Sequence, residues 1–249
     1  MILTGDLHAS PEELQFLRPG YLKEKYGYKA ENTIIAILGD GGFLWYEDPY
    51  SDFGGELIST LNTWMKELNS TLIVVPGNHE NYERIYSLPK IHLKEKNFEG
   101  DFREISQCIK YTERYGEYSF EGKDFLVLGG ARSLDKIYRH EGEWFSDETF
   151  SIEEKDRIVS LIKDAEYDYV LSHTCPDYIA RQIFGTVNYR DSNSEFFDKV
   201  MNYIYPKAWF FGHLHPEKIQ DNWNFGNFDN LKINDTEFKC LYKSIQTVI

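Results

Sequence analysis

Residues 33–40 read Thr33-Ile34-Ile35-Ala36-Ile37-Leu38-Gly39-Asp40. An apolar run this short, closed by a glycine turn, describes a buried strand, and Asp40 falls just past its C-terminal end. Working outward, Ile2 to Thr4 is a very short apolar run before it. After it, Leu57, Leu61, Trp64, Met65 and Leu68 share one helical face, and Leu72 to Val75 returns as a strand. Phe125 to Leu128 and Tyr169 to Leu171 read as further strands. Between them Ser151 and Glu154 form a capping box, opening a helix striped by Ile158, Leu161, Ile162 and Ala165. A helix around Phe196, Phe197, Val200 and Ile204 precedes the strand Ala208 to Phe211, and Glu237 to Ile245 reads as a final strand. Strands alternating with helices predict α/β layers around a largely parallel sheet.

The 249 residues contain no repeat, low-complexity tract or linker, which favours one domain over 1–249. The segment 88–118 is charged and weakly periodic and is expected to be an insertion. Hydrophobic residues at 41% and charged residues at 27% fit a globular chain with a sizeable core, and aromatics at 16% predict a dense interior. No stretch reaches the ~20 apolar residues of a membrane span, and the N-terminal residues lack a signal-peptide pattern. Cys108, Cys175 and Cys240 are odd in number and far apart, so neither a disulfide framework nor a cysteine-ligated zinc is expected, and a reducing cytoplasm is. A net charge of -14 disfavours membranes and long nucleic acids, unless bound cations reverse the field locally.

Ligand-type residues gather at the strand ends. Asp6 and His8 follow the first strand, Asp40 the second, and Asn78 and His79 the third. His173 follows Tyr169 to Leu171, and His213 and His215 follow Ala208 to Phe211. In open α/β sheets these ends line the crevice where ligands bind. Each element alone is ordinary, because Gly-Asp is usually a turn and a lone histidine usually a core residue. The ordered set of five, all after strands, points to a metal cluster. Carboxylate, amide and imidazole donors without thiolate suit manganese, iron or zinc.

The segments Gly5-Asp6-Leu7-His8, Gly39-Asp40, Gly77-Asn78-His79-Glu80, Ser172-His173 and Gly212-His213-Leu214-His215 resemble the calcineurin-like metallophosphoesterase superfamily. The run Gly129-Gly130-Ala131-Arg132-Ser133 is similar to its small bacterial and phage-type members. The resemblance implies a four-layer α/β/β/α sandwich with two mixed sheets. It also implies two divalent ions, one held by Asp6, His8, Asp40 and His215, the other by Asp40, Asn78, His173 and His213. A bridging carboxylate would keep such ions ~3.5–4 Å apart, and the ions would lower the pKa of a bridging water toward ~7, making hydroxide available. That hydroxide would attack a small phosphomonoester or phosphodiester, with His79 protonating the leaving oxygen or stabilising the transition state.

The protein phosphatases of the superfamily carry Gly-Asp-x-Val-Asp-Arg-Gly where this chain has Gly39-Asp40-Gly41-Gly42-Phe43-Leu44-Trp45. The aspartate that would orient His79 and the arginine that would grip phosphate are absent. Arg132 and Arg139 are the replacement candidates for phosphate, against a surface ion pair with Asp135 or Glu141. Trp45, Tyr46 and Trp144 could stack on a base, although aromatics are more often core. His92 and His140 carry no motif, Cys175 has no base beside it, and the acidic run 141–154 reads as a solvated loop and helix start. A nuclease, a protein phosphatase and a scaffold that has lost catalysis are the competing readings.

Overall fold

A computed structural model describes residues 1–45, 52–95, 98–133, 144–184, 190–215, 231–241 and 246–248. In chain order the regular elements begin with β1 (Ile2–Thr4), α1 (Pro11–Leu14), α2 (Pro19–Tyr26), β2 (Ile34–Leu38), α3 (Asp52–Glu67), β3 (Thr71–Val75) and α4 (Tyr82–Ser87). The middle of the chain holds β4 (Lys90–Glu95), β5 (Phe98–Ser106), β6 (Ile109–Thr112), β7 (Tyr115–Phe120) and β8 (Lys123–Leu128). Then come α5 (Ile152–Ile162), β9 (Tyr169–Ser172), α6 (Asp177–Phe184), α7 (Ser192–Val200), β10 (Ala208–Phe211), β11 (Leu231–Ile233), β12 (Thr236–Cys240) and β13 (Gln246–Thr247). The expected capping box is present at the start of α5, where Ser151 Oγ accepts from the Glu154 nitrogen and the Glu154 carboxylate accepts from the Ser151 nitrogen. Of the expected terminal strand, 237–240 falls within β12, while residues 242–245 lie outside the described residues. No described helix is long and apolar enough to cross a membrane.

The sheet is mixed. On one side β1, β2, β3 and β6 pair in parallel, and on the other so do β8, β9, β10 and β12. Where two sheets were expected, one hydrogen-bonded path runs β11-β12-β10-β9-β8-β7-β5-β6-β3-β2-β1-β13. The join is narrow: among the described residues β5 and β7 share only the register pairs Phe98↔Phe120 and Glu99↔Ser119.

Strand periodicity distributes side chains among three cores. Ile35, Ile37, Leu72 and Val74 pack with Leu61 and Met65 of α3 in the first. Leu126, Val170, Trp209 and Phe211 pack with Ile158, Ile162, Phe197 and Val200 of α5 and α7 in the second. The alternate residues of both halves, Ala36, Leu38, Ile73 and Val75 with Phe125, Val127, Leu171 and Phe210, meet in the third. Each Å² of apolar surface that these cores remove from water contributes about 25 cal/mol.

The segment 88–118 is continuous with the sheet: β4, β5, β6 and most of β7 lie in it, in the stretch that links the two parallel halves. Its charges disguise the strands because they pair across them. Lys90 Nζ and His92 Nδ1 reach Asp101, Lys94 reaches Glu99, and Arg103 reaches Glu113, at 2.7–3.1 Å.

Candidate metal centre

The C-terminal ends of β1, β2, β3, β9 and β10 converge, and the loops leaving them are tied together by main chain. Asp6 N donates to Gly39 O (3.2 Å), His8 N to Asp40 O (2.7 Å) and Ala9 N to Gly41 O (2.8 Å). Across the molecule Gly212 N donates to His173 O (2.9 Å), and His213 N donates to both oxygens of Asp6 (3.0 Å each). Asp6, His8, Asp40 and His213 all have left-handed backbone, with φ of 57°, 47°, 51° and 66°. Non-glycine residues seldom adopt it, and such strain concentrates where side-chain direction is functionally constrained. The motif glycines clear the space. A Cβ at Gly39, whose φ is 85°, would overlap the His173 ring, and one at Gly77 would overlap the carboxylate and nitrogen of Asp40.

Two groups of ligand-type side chains result, Asp6 with His8 and His215, and Asp40 with His173 and His213. His215 Nε2 lies 3.2 Å from Asp6 Oδ1. Asp40 faces both groups: Oδ1 is 3.3 Å from His173 Nε2, and Oδ2 is 3.8 Å from His8 Nε2. Asn78 Oδ1 is 2.9 Å from His173 Nε2. The seven residues expected as ligands are thus brought together, and Asp6, Asp40, Asn78 and His173 are buried.

The donor chemistry fits a cation. His173 Nδ1 faces the Leu38 carbonyl at 2.9 Å, so that nitrogen carries hydrogen and Nε2 presents its lone pair. The lone pair then meets two acceptor oxygens, Asn78 Oδ1 and Asp40 Oδ1, an arrangement that only a proton or a metal ion relieves. Without metal a proton does so: burial opposes the charge, but Asp40 outweighs it and pushes His173 up to about 9. Burial likewise works against the Asp40 carboxylate, yet His173, His79 and His8 together hold it well below the usual carboxylate range. Burial and the adjacent His173 keep His213 well below the usual imidazole range, in the neutral form that binds metal.

His79 stands at the rim. Its ring lies 5.0 Å from the His8 ring, edge-on, and 6.0 Å from Trp45, and these three side chains with Gly42 line a small open cleft. Larger clefts elsewhere, one along Asp124, Lys163 and Lys207 and one along Tyr86, Glu113 and Tyr118, contain none of the strand-end residues. Arg132 turns its Nη1 to the Arg190 carbonyl at 2.8 Å. Arg139, Tyr46 and His140 lie outside the described residues.

A family model for calcineurin-like phosphoesterases matches residues 1–217. The chain belongs to that family. Membership and the two side-chain groups together support a metal-dependent phosphoesterase. Among solved structures the chain is similar to the sulfate thiohydrolase SoxB of Thermus thermophilus, in complex with glycerol. The identity is 11% over 97% of this chain and 51% of that one, with a TM-score of 0.42. The chain therefore spans about half the length of the solved structure it matches. No curated protein matches it.

The sequence reading assigned no role to three residues around this candidate site. Glu80, fully buried, accepts from Gly41 N (2.8 Å), Gly42 N (3.4 Å) and Tyr111 Oη (2.7 Å), and so clamps the turn after Asp40. Burial pushes its carboxyl up to about 8. Ser133 donates to Glu148 and accepts from Asn78. Glu148 corrects the expectation of a solvated acidic run, because it is only 1% exposed. Glu154, in the same run, is held by Arg114 as well as by the helix cap. The available signals were Glu80's place in Gly77-Asn78-His79-Glu80 and Ser133's at the end of Gly129-Gly130-Ala131-Arg132-Ser133, whereas Glu148 had none.

Proposed function

We propose that this chain is a dinuclear metal-dependent phosphoesterase acting on a small phosphomonoester or phosphodiester. The observation that carries it is Asp40, whose two carboxylate oxygens face two separate ligand groups, one across to His173 and the other to His8. In this reading Asp6, His8, Asp40 and His215 hold one ion, and Asp40, Asn78, His173 and His213 the other. Manganese is the expected metal, with iron or zinc compatible with the same donors. When bound, the pair of ions supplies Lewis-acid polarisation of phosphoryl oxygens and an ionised water as nucleophile near neutral pH.

The chain's own residues do the rest. Asp6 and Asp40 place two buried negative charges where four positive ones would be received, so the pocket favours phosphate inside an acidic protein. Asp40 Oδ1, accepting from the His79 nitrogen, fixes the main chain that presents the His79 imidazole. That imidazole is assigned the proton given to the leaving oxygen, a contribution of about 10²–10⁴ in rate. Arg132 is next in sequence to Ser133, which bonds Asn78, and is assigned to phosphate, for which it would leave the Arg190 carbonyl. Arg139 keeps the same assignment from sequence alone. The charge of -14 restricts the substrate to one small enough to meet the pocket without the surrounding surface. A cytoplasmic location, from the unpaired cysteines, belongs to the same proposal.

The test is metal analysis of purified protein, followed by a manganese-supplemented comparison of p-nitrophenyl phosphate with its bis ester. Two equivalents of metal and hydrolysis of at least one ester are expected. A protein that retains neither metal nor activity would favour the non-catalytic scaffold.

A further inference from the structure

Asn78 can serve a cation only with its carbonyl oxygen, and its carboxamide could equally well present the nitrogen. Three hydrogen bonds remove the choice. Glu148 Oε1 accepts from Ser133 N (3.0 Å) and Glu148 Oε2 from Ser133 Oγ (2.6 Å). A carboxylate only accepts, so the Ser133 hydroxyl spends its single proton on Glu148. Its oxygen can then only accept from the far side, where Asn78 Nδ2 lies at 3.1 Å. With the amide nitrogen committed there, Asn78 Oδ1 is turned to His173 Nε2 and the Asp40 side of the cluster. All three residues of the relay are buried, with Ser133 at 2% and Asn78 at 3% exposure, so water does not compete for these bonds.

We propose that Ser133, locked by Glu148, is a positioning residue that sets the Asn78 carboxamide oxygen toward the site of the second ion. This rests on the dinuclear reading above. The polarity of the relay is set at its outer end, some two residues removed from the metal, as supporting hydrogen bonds do around other metal sites. It requires a carboxylate at 148 and a single hydroxyl at 133. An amide at 148 could donate to Ser133, free the hydroxyl proton for Asn78 and stabilise the opposite amide orientation.

The experiment is calorimetric titration of Mn²⁺ into chelator-treated full-length protein, with thermal unfolding of each metal-free variant as a check on folding. Wild type is expected to bind two ions. S133A, and separately the near-isosteric E148Q, are expected to weaken one of the two by about 10–100-fold and leave the other unchanged. In an N78D background, where neither oxygen presents a donor, S133A is expected to change that affinity little. Two ions bound as tightly in S133A and E148Q as in wild type overturn the inference alone. So does an equal loss from S133A in both backgrounds, which would make Ser133 merely structural. A wild type that binds no Mn²⁺ overturns the metal reading and this inference with it.

Discussion

The main-chain nitrogen of His79 donates to Asp40 Oδ1 over 2.7 Å, joining the assigned proton donor to the carboxylate between the two ligand groups. Removing that carboxylate therefore disturbs both halves of the proposed chemistry. Asp40→Ala is expected to retain no stoichiometric metal and no measurable turnover, read by metal analysis and p-nitrophenyl ester assays. Full activity in this variant would sink the assignment.

His79→Ala separates the two functions. Its backbone bond to Asp40 survives the substitution, so metal stoichiometry should match wild type while kcat falls by about 10²–10⁴. Loss of metal along with turnover would instead make His79 a support for the cluster.

Gly77 tests the crowding around Asp40. Gly77→Ala drives a Cβ into the carboxylate and main chain of Asp40. A loss of about 1–3 kcal/mol is expected by denaturant unfolding, with reduced metal content. Wild-type stability would show that the turn can yield.

The metal-free protein should lose stability as pH rises from neutral. Asp40 pushes His173 up to about 9 against the cost of burial, and burial pushes Glu80 up to about 8. Their ordinary values are 6.5 and 4.5, so above pH 6.5 the folded chain holds protons that the unfolded chain has released. The His173 contribution is complete below 6.5 and gone above about 9, and the Glu80 penalty accumulates between 4.5 and about 8. Both have the same sign. The unfolding midpoint of chelator-treated protein should therefore fall between about pH 6.5 and 9, and saturating Mn²⁺ should flatten the decline by displacing the His173 proton. A rising midpoint across this window would contradict the assignment.

Ser151 serves as the control remote in function. Ser151→Ala removes the cap of α5 and should cost about 1 kcal/mol of stability. Mn²⁺ affinity and kcat should stay at the wild-type level, measured by calorimetry and ester hydrolysis.

Much of this was legible from the chain because local rules and tertiary structure agree there. The run Ile34 to Leu38 is apolar on both faces and lies in a parallel stretch flanked by β1 and β3, and the Ser151 cap depends only on neighbours three residues apart. The strand ends located the cluster because each polar residue directly follows an apolar run. The segment 88–118 was not legible as sheet, since Lys90, His92, Lys94 and Arg103 obtain their partners from the adjacent strand or the turn beyond it, which no helical or alternating pattern reveals. Ser133 and Glu148 were hidden for a similar reason. They stand 15 positions apart, and Ser133 is 55 from Asn78, so their polarity has meaning only once the three meet.

The two-rung join between β5 and β7 has a mechanical corollary. Asp6, His8, Asp40 and Asn78 belong to one half of the sheet and His173, His213 and His215 to the other, so the pocket straddles a seam that side-chain packing in the third core, rather than the strand ladder, holds shut. Anything gripped by both sides adds a cross-brace to that packing. Damage to that shared core, for instance at Phe125 or Val127, would accordingly register as looser grip on the cargo as well as lost packing.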